Sequence, residues 1–243
     1  AWLDIDGDGL LDLYMSNFIC WTNATHYVDQ VWHNKGDGTF EEWTGKNGFY
    51  GTAQYPTKTY AGRGANAIDM DQDGDVDLLV NNYRLHPNLF YHNLGGGQVE
   101  EGAYKFGLAG SPYKFPSSTA YGHSIGTAFG DLNNDGHFDV VIANLAHPRF
   151  WSFSDKTEVR INNGKSKMKD IQGDWSKPAG DAGLRYQETH SVPVLADFDQ
   201  DGNLDLAISC VYDGRPTDFY WGKGDGTFDL DVFTTGLDFT GGW

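Results

Sequence analysis

The sequence predicts an all-β protein made of repeated four-stranded antiparallel sheets, and three observations predict it. The pattern D-x-[DN]-x-D-G-x-x-D occurs four times, starting at Asp4, Asp69, Asp131 and Asp197. The period is about 65 residues, and self-similarity at a fixed spacing marks an array of structural repeats. Each copy runs directly into a short apolar stretch: Leu13-Tyr14-Met15, Leu78-Leu79-Val80, Val140-Val141-Ile142 and Leu206-Ala207-Ile208. Such runs, rich in β-branched residues, read as buried strands. Later in each period an aromatic-rich or β-branched strand meets a Gly/Asp turn. Val31-Trp32-His33-Asn34 precedes Lys35-Gly36-Asp37-Gly38-Thr39-Phe40, and Phe219-Tyr220-Trp221 precedes Gly222-Lys223-Gly224-Asp225-Gly226-Thr227-Phe228. Weaker versions follow Leu89-Phe90-Tyr91-His92-Asn93 and Val159-Arg160-Ile161-Asn162-Asn163, and all four read as hairpins.

In order, each period holds a strand, the acidic loop, a second strand, a variable loop, a third strand, a Gly-rich turn and a fourth strand. The repeats fall at about 1–55, 56–115, 116–182 and 183–243, within one region spanning 1–243. Small residues flank the first strand (Gly62, Gly64, Ala65; Gly122, Gly126, Ala128), as expected where inner strands crowd round an axis. A four-stranded sheet repeated radially is a β-propeller blade, so about four blades are expected here. No segment has the apolar stripe of a helix. The lysine-rich stretch from Lys165 to Gly183 reads as an exposed excursion. The content of 39% hydrophobic and 15% aromatic residues is ample for a core, and the 32 glycines suit a turn-rich β protein.

The acidic loops carry the chemistry. Oxygen side chains at positions 1, 3 and 5 of a tight loop converge, a glycine at position 6 permits the turn, position 7 offers its carbonyl, and the Asp at position 9 closes the cage. The candidate metal ligands are Asp4, Asp6, Asp8, Leu10 and Asp12; Asp69, Asp71, Asp73, Asp75 and Asp77; Asp131, Asn133, Asp135, His137 and Asp139; and Asp197, Asp199, Asp201, Asn203 and Asp205. An all-oxygen, carboxylate-rich set suits a hard cation with many ligands, so Ca2+ is favoured over Mg2+, at about four sites. An EF-hand needs Glu at position 12, where Met15, Val80, Ile142 and Ile208 stand instead. Dockerin-type and RTX loops fail for want of their own acid or glycines.

The formal net charge is −17, and fifteen of the 34 acidic side chains lie at positions 1, 3, 5 and 9 of these loops. That balance argues against nucleic acid and anionic membrane as partners. No stretch of 18 residues is free of charge, which excludes a membrane-spanning helix. The native start is expected upstream of Ala1. Calcium loops of modest affinity suit a compartment with millimolar calcium, so a secreted or extracellular location is expected, with periplasm or cell surface included. Asn23-Ala24-Thr25 is a glycosylation sequon that matters only in a secreting eukaryote. A disulfide between Cys20 and Cys210 would favour a four-bladed closure, whereas a larger ring predicts free thiols.

The chain resembles the FG-GAP/VCBS repeat family, whose blades carry this loop between their first two strands, as in integrin α-subunit heads. Residues 129–144, Phe-Gly-Asp-Leu-Asn-Asn-Asp-Gly-His-Phe-Asp-Val-Val-Ile-Ala-Asn, are similar to the family pattern. The Asn after the second strand and the Gly-Asp-Gly-Thr-Phe turn resemble more narrowly its secreted cartilage-acidic-protein-like (ASPIC/UnbV-associated) branch. The resemblance implies a calcium-binding propeller, usually a seven-bladed ring of which four motifs are present here. It leaves function open, because the family includes adhesion proteins, lectins and non-catalytic modules of enzymes.

In a propeller the loops joining strands two and three lie opposite the metal loops. They collect Trp21, His26, Arg84, His86, His147, Arg149, Tyr212, Asp213 and Arg215, joined by Arg63, His123 and His190. Of these Arg63, His86, His123, His147, His190 and Arg215 form the candidate ligand face for a sugar, a peptide or a carboxylate. Gly122-His123-Ser124-Ile125-Gly126 matches G-x-S-x-G but leads into a strand, not a helix, and is set aside as a nucleophile elbow. The carboxylates are better employed as metal ligands than as a glycosidase pair. No nucleophile–base–orienter set is legible. The expectation is a non-enzymatic extracellular module for adhesion, binding or assembly, with a protein, a glycan or its own copies as partner. The alternative is a propeller region of a secreted carbohydrate-active enzyme such as a polysaccharide lyase.

Overall fold

The computed structural model describes residues 1–23, 25–50, 60–147, 149–150, 152–164, 167–212, 214–231 and 235–236, without the side chain of residue 26. The boundary expected near residue 55 and the residue Asp213 lie outside the described residues, as does the His26 side chain. The described chain is all-β apart from a four-residue helix, Ala103–Phe106. It forms two compact units, Ala1–Gly110 and Ser111–Trp243.

Each unit holds two sheets of four antiparallel strands taken in chain order. The first sheet is Trp2–Leu3, Asp12–Met15, Gln30–Asn34 and Phe40–Glu42; the second is Ala61–Ile68, Asp77–Tyr83, Leu89–Asn93 and Val99–Glu101. The third is Ser124–Gly130, Asp139–Asn144, Glu158–Ile161 and Lys169–Asp170; the fourth is His190–Ala196, Asp205–Cys210, Asp218–Gly222 and Phe228–Leu230. These are sheets of the β-propeller blade type. Two short hairpins, Ile19–Cys20 with Thr25–His26 and Tyr113–Lys114 with Thr119–Ala120, stand outside them.

The second strands explain the apolar runs. Asp139–Asn144 is buried at every residue and Asp77–Tyr83 at all but the last, so both faces of these strands are covered. A two-sided strand cannot alternate, and the sequence reads as a continuous run. In the first unit Leu3, Tyr14, Val31, Leu78, Val80, Leu89 and Tyr91 pack together; in the second Val141, Val159, Leu206, Ile208, Tyr220 and Phe228 do. The first strands of the second, third and fourth sheets each carry a bulge, between Gly62 and Gly64, Ser124 and Gly126, and His190 and Pro193. A bulge adds an unpaired residue and re-aims its side chain; in the second sheet that residue is Arg63.

The same joint links neighbouring sheets in both units. The carbonyl at position 2 of an acidic loop accepts a hydrogen bond from the next sheet's hairpin: Ile5 from Asn93 Nδ2 and Leu132 from the Gly226 amide, both at 2.9 Å. The fourth strand's first amide then donates to the preceding sheet, Val99 to Asn47 and Phe228 to Ala182, again at 2.9 Å. Gly48 and Gly183 follow these acceptors at φ of 97° and 92°, and a Cβ on either would collide with the facing carbonyl of Val99 or Phe228. Glycine is required there twice over.

The stretch from Lys165 to Gly183, expected as an exposed excursion, is not one. Positions 165 and 166 lie outside the described residues, but Lys169–Asp170 forms the fourth strand of its sheet. Beyond it Gln172 is fully buried, its side chain bonded to both backbone groups of Leu184. Met168 and Ala182 are buried as well, so the lysines decorate a packed return segment. Cys20 and Cys210 are both free thiols. Burial pushes the Cys210 thiol up to about 11.

Candidate metal centre

All four acidic loops adopt one backbone. Position 4 is left-handed in each, at Gly7, Gln72, Asn134 and Gln200, with φ of 75°, 61°, 58° and 63°. Position 6 is a glycine at φ of 87°, 99°, 90° and 94° (Gly9, Gly74, Gly136, Gly202). The space beside each of these glycines is open, so conformation rather than crowding selects glycine. For Gln72, Asn134 and Gln200 the left-handed region is unfavourable by about 1 kcal/mol each, so the fold must enforce it.

Carboxylates enforce it. The Asp at position 1 accepts the amides of positions 5 and 6: Asp8 and Gly9 on Asp4, Asp73 and Gly74 on Asp69, Asp135 and Gly136 on Asp131, Asp201 and Gly202 on Asp197. The position-5 carboxylate accepts the amide of position 7 at 2.8 to 3.0 Å. Position 9 is deeper. Asp12, Asp77, Asp139 and Asp205 are at most 1% exposed. One oxygen takes the amide of position 2 (Ile5, Met70, Leu132, Phe198). The other takes the amide at the end of the third strand or, for Asn162, one residue past it (Asn34, Asn93, Asn162, Gly222). This Asp therefore stitches the loop to the third strand as well as facing the cage.

Among the described residues, oxygens of Asp4, Asp6 and Asp8, of Asp69, Asp71 and Asp73, and of Asp197, Asp199 and Asp205 come close enough to share one ion. The donor set fits a hard cation. Asp6 Oδ1 is buried without a hydrogen-bond partner, an arrangement that invites a cation. Burial, then the neighbouring Asp8 charge, raises the Asp6 carboxyl above its usual range. Burial pushes Asp139 up to about 6 and raises Asp77. A divalent ion reverses both penalties.

Two histidines escaped the sequence reading. His33 and His92 place Nδ1 3.1 Å from the buried Asp12 and Asp77 and also approach Asp6 and Asp71. His33 stacks on Trp43 at 4.2 Å, and His92 lies against Phe106. The signal was the repeated His-Asn pair ending the third strand, absent from the other two repeats, where Ile161 and Trp221 precede the corresponding residue.

The chain matches the FG-GAP-like repeat over residues 4–80 and again over 69–142. It belongs to the FG-GAP-like repeat family. It is similar to cartilage acidic protein 1 of Homo sapiens (27% identical over 181 residues) and of Xenopus tropicalis (29% over 183), each time over 74% of this chain and 24% of the relative. The chain thus spans about a quarter of the length of those relatives. Among solved structures, an Agrocybe aegerita lectin that recognises non-reducing terminal N-acetylglucosamine superposes with a TM-score of 0.50 at 19% identity, over 99% of this chain and 53% of the lectin. That likeness is one of fold.

On the FG-GAP-like sheets, the loops joining strands two and three gather aromatic and cationic side chains. In the first unit Arg63 lies over Phe18 (4.3 Å) and Tyr83 (5.2 Å), and Arg84 lies over Trp21 (5.6 Å). His86 is partly buried, accepting the Ala61 amide on Nδ1 and packing on Tyr60. In the second unit His147 packs on Phe150 and Tyr212, Arg149 lies over Phe150, and Arg215 pairs with Glu188.

The expected face loses two members. His123 is 4% exposed and stacked on Phe150, and His190 is fully buried. Ser124 Oγ donates to Asn144. A hydroxyl–imidazole–carboxylate relay, not legible in the sequence, does form: Thr157 Oγ1 lies 2.7 Å from His190 Nδ1, and His190 Nε2 lies 3.0 Å from Asp218. Arg185 and Tyr220 complete it on Asp218. Its three core members are at most 1% exposed, so no substrate reaches them and the relay works as a core polar network.

In the first sheet's loop, Asp29 accepts the Tyr14 hydroxyl (2.7 Å) and the Asn17 amide (2.6 Å). Burial pushes its carboxyl up to about 6, against the lowering effect of those two bonds. A folded-state value above the unfolded one, about 3.9, gives a stabilisation complete below about pH 4 and lost as pH rises through about 6. Asp29→Asn is expected to raise the melting temperature at pH 8 and leave it unchanged at pH 4. Scanning fluorimetry at both values checks this, and a lower melt at pH 8 would mean that the ionised form is the better partner.

Proposed function

We propose that the chain is a calcium-stabilised β-propeller segment that works outside the cell, or in the periplasm, as a non-catalytic binding, adhesion or assembly module. The observation that carries this reading is the single backbone geometry of the four loops, with left-handed residues held at position 4 and an unpartnered buried oxygen at Asp6. Calcium would be held by the carboxylates of positions 1, 3, 5 and 9, with Asn133 replacing one in the third loop. Bound there it supplies positive charge and rigidity. Millimolar calcium outside cells favours that location. The aromatic and arginine side chains of the opposite loops are the surface offered to a protein, glycan or like partner.

Melting in 1 mM CaCl2 and then in excess chelator tests it. An ion at about a hundred times its Kd contributes about 2.7 kcal/mol, so even one site raises Tm by about 5–10 °C in a chain of this size. The expected result is a fall of at least about 10 °C in chelator, reversed by Ca2+ and not by Mg2+. An unchanged melt would remove calcium from the reading.

A further inference from the structure

We propose that the strand-two-to-three loops of the first unit form a site for an anionic saccharide, with Trp21 as the stacking platform and Arg63 and Arg84 as the acid-binding groups. The proposal rests on the binding-module reading and names the partner of that surface.

Five side chains make the site. Trp21 is 66% exposed at the tip of the Ile19–Cys20/Thr25–His26 hairpin, and Phe18 meets it edge-on at 5.5 Å. Phe18 also meets Tyr83 at 5.9 Å. Arg63 and Arg84 lie over these rings and are exposed, and among the described residues neither has a carboxylate partner. Two guanidiniums over rings that touch each other, with no carboxylate partner among the described residues, are notable in a chain with 34 acids and 17 basic residues. Asp29, in the same loop, has its oxygens engaged by Tyr14 and Asn17.

The backbone presents both arginines under constraint. Arg63 is the extra residue of the bulge between Gly62 and Gly64. Arg84 and Leu85 are consecutive non-glycine residues in the left-handed region, with φ of 60° and 62°. Such strain concentrates at ligand sites and is held by what surrounds it. Here the holding contacts are Asn82 to Asn88 and Pro87, and Asn88 to Leu108, all buried. The turn that carries Arg84 is thus fixed before any ligand arrives.

The chemistry selects the ligand class. A guanidinium stacked on an aromatic face keeps its N–H edge free for bidentate pairing with a carboxylate or sulfate. An exposed indole offers an apolar plane to the C–H face of a pyranose ring. A uronate or sulfated sugar presents both features within one residue. An acidic peptide needs only the arginines.

Isothermal titration of the calcium-loaded protein with hexagalacturonate, a sulfated hexasaccharide, a neutral hexasaccharide and hexaglutamate tests the proposal. Binding of either anionic sugar is expected, weakened about tenfold or more by Trp21→Ala and by Arg84→Asn and falling with salt. Asn tolerates the left-handed backbone, and Trp21 is exposed, so both variants should keep the wild-type melt in calcium. Which anionic sugar binds identifies carboxylate or sulfate as the group recognised. Equal binding of the neutral sugar overturns the anionic assignment. Binding of hexaglutamate that is indifferent to Trp21→Ala overturns the saccharide. No binding by any probe, with the calcium-dependent melt intact, overturns this site and leaves the module reading standing; loss of the calcium effect itself would strike that reading instead.

Discussion

Asp71→Ala is expected to lower the melting temperature by about 5–10 °C in calcium and to leave it nearly unchanged in chelator, whereas Asp77→Ala lowers it in both. Asp71 stands at position 3, where its carboxylate faces the cage; with no ion present, removing it relieves repulsion with Asp69 and Asp73. Asp77 has a second duty. Its two oxygens hold the amides of Met70 and Asn93, which its loss would leave buried and unpaired. Each such orphan is unfavourable by about 1–3 kcal/mol, with or without metal. Asp37→Ala, in an exposed hairpin turn, is the control and should be silent under both conditions. Parallel melts of the three variants decide the matter. If Asp71→Ala hurts equally in chelator, the cage is not a metal site; if Asp77→Ala becomes silent there, the stitch to the third strand contributes nothing.

Asp218→Ala is expected to destabilise by about 3–5 kcal/mol, because it leaves His190 and Arg185 facing a buried gap. Burial by itself would raise the Asp218 carboxyl, yet the bonds from His190 and Arg185 outweigh it and hold the group below its usual value. A depressed folded-state value means the stabilisation is present above the unfolded pKa, about 3.9, and disappears only as pH falls through the lower folded one. The deficit of the variant, read from urea unfolding, should therefore be constant from pH 5 to pH 8. A deficit under about 1 kcal/mol would place Asp218 among the weakly coupled polar groups.

Much of this was legible in the sequence because it is local. Five fixed positions in nine residues specify the loop, and an unbroken apolar run such as Val140-Val141-Ile142 specifies a strand covered on both faces. What was not legible depends on partners distant in the chain. His190 reads as a loop histidine until Asp218 and Thr157 close over it. The polar stretch after Lys165 reads as solvated until Gln172 finds both backbone groups of Leu184. His33 and His92 looked like ordinary hairpin residues, since only the paired strand brings them to Asp12 and Asp77. The left-handed position 4 left a sequence mark only at Gly7 and, more weakly, at Asn134, because Gln is not a residue that usually announces that conformation.

The joint between neighbouring sheets bears on how such a chain can grow. Within each unit the earlier copy brings an acceptor, the carbonyl at position 2 of its acidic loop, and the later copy brings a donor carried by its own hairpin. A gene duplication that adds a whole pair of copies adds one of each, so the new seam closes as the old ones did. A duplication that breaks inside a copy strands a polar group in the seam and sets a glycine such as Gly48 or Gly183 against the wrong neighbour. Inheritance in whole units is thus built into the hydrogen-bonding arithmetic.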